Sequence, residues 1–296
     1  MKKSRIVNII IGAALVASIG LNIYQAFYDG SSDSMIEYLG SSEQIDITYS
    51  GILKSHEKFR EGGNAVISYD FEHEDYKILL EKYNIAEIAG NGSEYEKALR
   101  LMNEFAPRLS HFGNFDYSVD IEALPLLEYS LDKPENGINC RCKAQILNEM
   151  LLSLGIYSRK LWIMPNSKYD GECHVVNEVW DTTLGKWVMV DISNNIYWVD
   201  KEGKPLSVLE IRQLAVNREF STPVYADDDL SDLENSLNKA YSTYLYYLKN
   251  LDHMEYCAVM TVGESEDFYY LIPENKNVTN EMVLISENNV VDTPIK

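Results

Sequence analysis

The sequence predicts an α+β fold in which an amphipathic helix packs on an antiparallel sheet. The helix is predicted over residues 140–154, where apolar side chains return every three or four positions. The sheet is predicted from strand-like runs at residues 158–163, 174–180 and 186–192, the last two joined by a short turn. A chain of 296 residues that is 46% hydrophobic is long enough to bury a sizeable core.

The charge balance excludes two classes of partner. The formal net charge is −20, from 46 acidic and 26 basic residues. Nucleic-acid binding needs a positive surface, and anionic lipid attracts basic segments. We therefore expect no nucleic-acid partner and no electrostatic lipid binding. No residue pattern calls for a cofactor.

The first 30 residues differ from the rest. Three basic residues precede an apolar run from Ile6 to about Phe27, with its strongest stretch at Ile9–Ile19. The run approaches the roughly 20 residues that span a bilayer, and the stretch fits a secretory signal. Because no Ala-x-Ala cleavage site follows, a signal anchor over residues 1–30 is favoured over a cleaved signal or a buried helix. The basic start predicts a body outside the cytoplasm.

Four segments are predicted along the chain: a signal anchor (1–30), a linker and N-terminal segment (31–90), a core (91–220) and a C-terminal helix-plus-strands extension (221–296). Within the second segment we expect strand-like pieces at residues 45–49 and 65–69 and a helix at residues 75–83. The C-terminal segment is expected to cover the core or to extend its sheet.

Cap residues mark the helices of the core. Ser93 and Glu96 have the spacing of a capping box, and residues 111–136 are predicted to form a loop. Asn139 is the predicted N-cap of the 140–154 helix. Further elements are expected as a strand (196–199), two helices (207–214, 232–251) and three strands (256–262, 268–272, 282–285).

Cys140 is predicted at the N-terminus of its helix. The unpaired N–H groups and the dipole of a helix start favour negative charge, which lowers the pKa of a thiol there. The same N–H groups point at the space that an oxyanion would occupy. Cys140 is therefore a candidate nucleophile.

A predicted hairpin supplies a base and a partner for it. If Asp181 faces Lys186 across the turn, His174 and Asp191 lie on the same side of the sheet as diagonal neighbours. Asp191 then accepts from one ring nitrogen of His174 while the other faces Cys140. A turn longer or shorter by one residue would place them on opposite faces.

Residues 137–144 (Gly-Ile-Asn-Cys-Arg-Cys-Lys-Ala) precede a leucine-rich helix and Gly-Ile-Tyr-Ser-Arg at 155–159. Together with two of the strand segments, they resemble the transglutaminase-like superfamily. Residues 174–179 are similar to the family's His-x-x-x-Glu-Val strand, and residues 187–191 to its Trp-x-x-x-Asp strand. The resemblance covers about residues 90–215 and implies a papain-like core.

The resemblance implies a catalytic triad of Cys140, His174 and Asp191. It implies thiolate attack on a peptide or protein amide to give a thioester, which water or an amine then releases. No Trp precedes Trp162, whereas many crosslinking members carry one before the nucleophile, so hydrolysis or another acyl transfer is favoured over crosslinking. The expected protein is an extracytoplasmic cysteine hydrolase or acyltransferase with a peptide or protein substrate.

Plainer interpretations remain open. Cys140 fits a small buried apolar residue, His174 a satisfied strand histidine, and Asp191 a turn residue before Ser193. Arg159 is expected to form a structural ion pair rather than a substrate clamp. The whole domain fits a catalytically silent member that binds a peptide or wall polymer, or a structural component of an export complex.

The cysteines admit two further interpretations. A zinc site of Cys140, Cys142, Cys173 and His174 is disfavoured, because adjacent residues 173 and 174 of a strand point to opposite faces. Few or no disulfides are expected, since a large core does not need them and Cys140 and Cys142 are badly placed to pair with each other.

Overall fold

The computed structural model describes residues 42–225 and 233–294. Contacts divide the chain into two compact units, residues 1–49 and 50–296, and residues 42–49 are the described part of the first. The predicted signal anchor lies outside the described residues. Within the described ranges no helix is long and apolar enough to cross a membrane.

Within residues 42–225 and 233–294 the chain forms nine α-helices and ten strands. The helices are α1 (Ser42–Ser55), α2 (Glu74–Lys82), α3 (Ile85–Ala89), α4 (Glu94–Phe105), α5 (Ala123–Asp132), α6 (Cys140–Ser153), α7 (Val208–Val216), α8 (Leu233–Asn250) and α9 (Glu287–Val291). The strands are β1 (Ser68–Tyr69), β2 (Ser158–Met164), β3 (His174–Asp181), β4 (Lys186–Asp191), β5 (Ile196–Val199), β6 (Thr222–Tyr225), β7 (His253–Cys257), β8 (Val259–Met260), β9 (Phe268–Leu271) and β10 (Val283–Leu284).

Eight strands form one sheet in the order β10-β9-β7-β2-β3-β4-β5-β6. Every neighbouring pair is antiparallel except β9 and β10, which are parallel. The prediction of a mixed α+β fold with a mostly antiparallel sheet is confirmed. The later strands β7, β9 and β10 extend this sheet beyond β2, whereas β8 pairs with β1.

The main core lies between the sheet and the helices α4, α5 and α6. Val179, Val188 and Val190 point from the sheet into this core, and the leucines and methionine of α6 face them. The helix that carries Cys140 is therefore fixed to the central strands by apolar burial, which is the dominant stabilising contribution in such a core. The helix side of this core includes Leu101, Met102, Phe105, Leu126, Leu127, Leu147, Met150 and Leu151.

Two predictions of local structure are wrong. Residues 45–49 are helical, as part of α1, although their apolar residues alternate as in a strand. The helix is explained by apolar residues further apart in the chain. Ile45 and Leu53 are both buried and lie about two helical turns apart, so they share one face of α1. The predicted loop at 111–136 contains α5. Its Pro125 lies in the first turn, where N–H groups have no acceptor within the helix, so a proline there costs no hydrogen bond.

Other elements match the predictions more closely. α2, α6 and α8 lie within two residues of their predicted bounds, and α4 begins at the predicted capping box of Ser93 and Glu96. The strand expected at 65–69 is reduced to β1, which pairs in parallel with β8. The run at 256–262 is divided between β7 and β8.

Candidate active site

Asn139 defines the start of α6 and so the position of Cys140. Its backbone is extended, and its Oδ1 accepts from the Cys142 N–H at 3.1 Å. Its Nδ2 donates to the Tyr117 hydroxyl at 3.0 Å. This bond connects the cap to the loop of residues 109–122, called the upstream loop below. Cys140 is thus the first residue of the helix, where the dipole stabilises a thiolate.

The upstream loop runs beside the residues that lead into α6. The Ile138 N–H donates to Ser110 O at 3.0 Å, and the Phe112 N–H donates to Ile138 O at 3.1 Å. Gly137 permits this approach, because a Cβ there would lie 2.8 Å from the Phe112 Cβ. The close backbone contact explains why this position needs glycine.

Replacing Gly137 by alanine is expected to lower the free energy of unfolding by about 1–3 kcal/mol, because the added methyl overpacks the contact with Phe112. Urea unfolding of the full chain measures this loss. Gly171→Ala is the matched control, since a Cβ at Gly171 meets nothing within 4 Å. Equal stability of the two variants would contradict the account.

The β3–β4 hairpin has the predicted register. Asp181 pairs with Lys186, and Asn177 pairs with Val190. His174 and Asp191 therefore lie on one side of the sheet, and Nε2 of His174 contacts Oδ2 of Asp191 at 2.8 Å. This contact is the diagonal one that the spacing predicts.

The thiol of Cys140 reaches the same imidazole. The His174 side chain and the Val175 backbone N–H both act to lower the pKa of the Cys140 thiol, which places the sulfur beside the ring. Because Nε2 of His174 is occupied by Asp191, Nδ1 is the ring nitrogen left for Cys140. The three predicted residues are thus brought together in the order thiol, imidazole, carboxylate.

Asp191 is fully buried and receives several donors. Oδ1 accepts from the Ser193 N–H at 2.8 Å, and Oδ2 accepts from Asn194 Nδ2 at 2.6 Å and from the Tyr247 hydroxyl. Asp191 therefore stabilises the following turn and holds His174 at once, so its two sequence-based interpretations are compatible. These donors keep a buried carboxylate ionised.

Two aromatic rings of α8 pack against His174. The centroids of Tyr246 and Tyr247 lie 5.7 Å and 5.6 Å from that of the imidazole, in edge contacts. Sequence analysis missed both tyrosines and Asn194 as site residues. The tyrosine-rich pattern of α8 was visible, but only the fold shows which tyrosines reach β3 and β4.

The electrostatics of the three groups are coupled. Burial lowers the pKa of His174, but the Asp191 carboxylate and the Cys140 sulfur outweigh it and raise that pKa to about 10. Burial raises the pKa of Cys140, yet the hydrogen bond and charge of His174 bring it below its ordinary value. The pKa of Asp191 is lowered in spite of its burial, chiefly by His174. A thiolate–imidazolium pair is the state that these shifts favour.

The pKa values of the other three thiols shift in the opposite direction. Burial raises the pKa of Cys142 and of Cys173 to about 11 each, and it also raises the pKa of Cys257. All four cysteines are free thiols. Cys140 is therefore the one thiol of the chain that its surroundings activate.

Arg159 forms the structural ion pair that was predicted. Its Nε and Nη2 contact Oε2 of Glu178 at 2.9 Å and 2.6 Å, and both residues are buried. The guanidinium also lies 4.0 Å from the centroid of a Trp187 ring. Arg159 is thus committed to the sheet and is not part of the Cys140 site.

Comparisons with known proteins add one distant likeness. Protein-family models and curated proteins give no match. Among solved structures, a chain described as a "putative cysteine protease" from Cytophaga hutchinsonii aligns with 14% sequence identity and a TM-score of 0.30. The alignment covers 51% of this chain and 48% of that one, so it spans about half of each.

Proposed function

We propose that this chain is a transglutaminase-like cysteine hydrolase or acyl transferase that acts on peptide or protein amides through a thioester. The observation that carries the proposal is the placement of Cys140 at the start of α6 together with the 2.8 Å contact between Nε2 of His174 and the buried Asp191 carboxylate. The lowered pKa of the Cys140 thiol, to which His174 contributes, supports it. A lowered thiol pKa, an adjacent base and a group that orients the base are the parts of nucleophilic catalysis.

Acylation begins from the ion pair. The Cys140 thiolate attacks the amide carbonyl carbon, and the carbonyl π electrons move to oxygen. The His174 imidazolium then gives its Nδ1 proton to the leaving nitrogen, the C–N bond breaks, and a thioester remains on Cys140. Asp191 keeps the imidazole oriented throughout, through its contact with Nε2.

Deacylation reverses the roles. A water molecule or an amine attacks the thioester carbonyl and gives its proton to Nδ1 of His174. The C–S bond breaks, the acid or new amide leaves, and the ion pair is restored. The acceptor decides between hydrolysis and acyl transfer.

The start of α6 is suited to hold the developing oxyanion. The N–H groups of Cys140 and Arg141 have no acceptor among residues 42–225 and 233–294. They belong to the first helical turn, whose donors face the space beyond the helix end. Two such donors next to the attacked carbonyl are the usual means of stabilising a tetrahedral intermediate.

The location outside the cytoplasm is part of the proposal. It is supported by the basic start and apolar run of residues 1–30, which favour a signal anchor. A catalytically silent domain that binds a peptide or wall polymer is the alternative, favoured by the absence of Trp before Trp162.

Iodoacetamide labelling of the full chain tests the proposal. Cys140 is expected to react first of the four thiols near pH 7, because it alone has a lowered pKa. In His174→Ala this preference is expected to vanish. Burial then raises the pKa of the Cys140 thiol without a compensating cation, so its reaction should require a pH above the ordinary thiol pKa. Peptide mapping by mass spectrometry gives the rate at each cysteine. Equal labelling of all four in the native protein would overturn the proposal, and selective labelling without turnover of any amide would favour the silent alternative.

A further inference from the structure

Lys143 is a buried lysine with an unusual environment. It lies in the first turn of α6, three residues after Cys140, and its relative exposure is 2%. Within residues 42–225 and 233–294 its ammonium group has no hydrogen-bond or ion-pair partner. A buried ammonium group without a partner is costly, and lysines are rarely buried unless paired.

Lys160 shows the usual arrangement in the same protein. It is 1% exposed, and its Nζ donates to Gln145 Oε1 at 2.7 Å and to the Glu264 carboxylate. The fold thus supplies partners for one buried lysine and leaves the other without them. The contrast leaves the ammonium group of Lys143 available to a group from outside the described residues.

The charge of Lys143 acts on the candidate site. The charges of Asp191 and Cys140 both act to raise the pKa of its ammonium group. Residues at i and i+3 are neighbours on a helix, so Lys143 lies beside Cys140 on α6. Burial is nevertheless the largest influence on the pKa of Lys143 and lowers it.

His111 lies close to the start of α6. Its backbone forms a bridge to Ile138, two residues before Cys140. Its ring interacts electrostatically with Lys143, His174 and Asp191. Burial and the charge of Lys143 lower its pKa, so it is a neutral hydrogen-bonding ring near pH 7.

We propose that Lys143, with His111 beside it, binds a carboxylate of the acyl substrate next to Cys140. The inference rests on the proposed function and gives it a substrate class: amides that carry a free carboxylate close to the scissile carbonyl. A chain with a net charge of −20 repels anions in general, so a local cation is needed to admit such a substrate. A carboxylate would also supply the partner that the buried ammonium group lacks.

Two alkylating agents of nearly equal size test the assignment. Iodoacetate carries a carboxylate, and iodoacetamide carries a neutral amide in its place. Both form an Sγ–CH2 bond with Cys140 and release iodide. The ratio of their second-order rate constants at Cys140 cancels any change in the reactivity of the thiol itself. In Lys143→Met this iodoacetate-to-iodoacetamide ratio is expected to fall at least about tenfold, and in Lys143→Arg it should be largely kept.

Controls separate a local contact from bulk charge and from misfolding. Lys77→Met removes an exposed lysine of α2 and is expected to keep the wild-type ratio. Lys143→Gln repeats the test in case the methionine variant does not fold. A second pair of probes, glutamyl amides with a free or an amidated α-carboxyl group, should show the same loss of preference in kcat/KM.

The outcomes are distinguishable. A ratio in both neutral variants within about twofold of wild type would overturn the carboxylate site while leaving the activated thiol intact. A Cys140 that reacts selectively with neither agent would overturn the proposed function, and the inference with it.

Discussion

Cys140→Ala is expected to reduce the turnover of amide substrates by at least about 10⁴-fold, because no other group of the site can form the thioester. The measurement is kcat/KM on a panel of peptide and glutamyl amides. Cys142→Ala is the matched control, since Cys142 is buried in the same helix and burial raises its pKa to about 11. That variant should keep most of its activity.

Loss of activity in both variants, or in neither, would contradict the role given to Cys140. The first result would mean that α6 as a whole is sensitive to substitution. The second would mean that any turnover observed uses another nucleophile. Circular dichroism and urea unfolding of both variants separate misfolding from lost chemistry.

Asp191→Asn is expected to have the second largest effect, a loss of roughly 10³–10⁴-fold in kcat/KM. The carboxylate raises the pKa of His174 to about 10 against the effect of burial. Without that charge, burial dominates and the imidazole is neutral near pH 7. The thiolate of Cys140 then loses its counterion, and its pKa should rise.

NMR titration of the His174 ring separates this electrostatic role from a packing role. In the wild type the ring should remain protonated until about pH 10, whereas in Asp191→Asn it should lose its proton well below that pH. Asp200→Asn is the control, because Asp200 caps an exposed turn through the Glu202 and Lys204 N–H groups. A ring that still titrates near pH 10 in Asp191→Asn would refute the assignment.

The sequence predicts those parts of the site that depend only on residues close together in the chain. The Asn139 cap places Cys140 at the first position of α6, and the length of the hairpin turn determines which residues face each other. Those two features predict a thiol at a helix start and a His174–Asp191 pair on one side of the sheet, whereas the meeting of the two was implied by the family resemblance.

Contacts between distant segments were beyond sequence reasoning. Tyr247 lies 56 positions after the Asp191 that it binds, and no local pattern relates the two. Lys143 was part of a recognised segment, but its burial without a partner depends on every element packed around α6. α1 shows the reverse case, in which β-branched residues favour a strand and a buried stripe with helical spacing prevails.

The position of β7 has a consequence for how this protein is made. β2 follows the Cys140 helix directly, yet one of its two neighbours in the sheet is β7, about 90 residues later. On a ribosome, that edge of β2 stays unpaired until the later segment has emerged, and an exposed strand edge invites association with other chains. Nascent chains that stop before β7 should therefore need chaperone protection, and separately expressed halves should recombine through this edge.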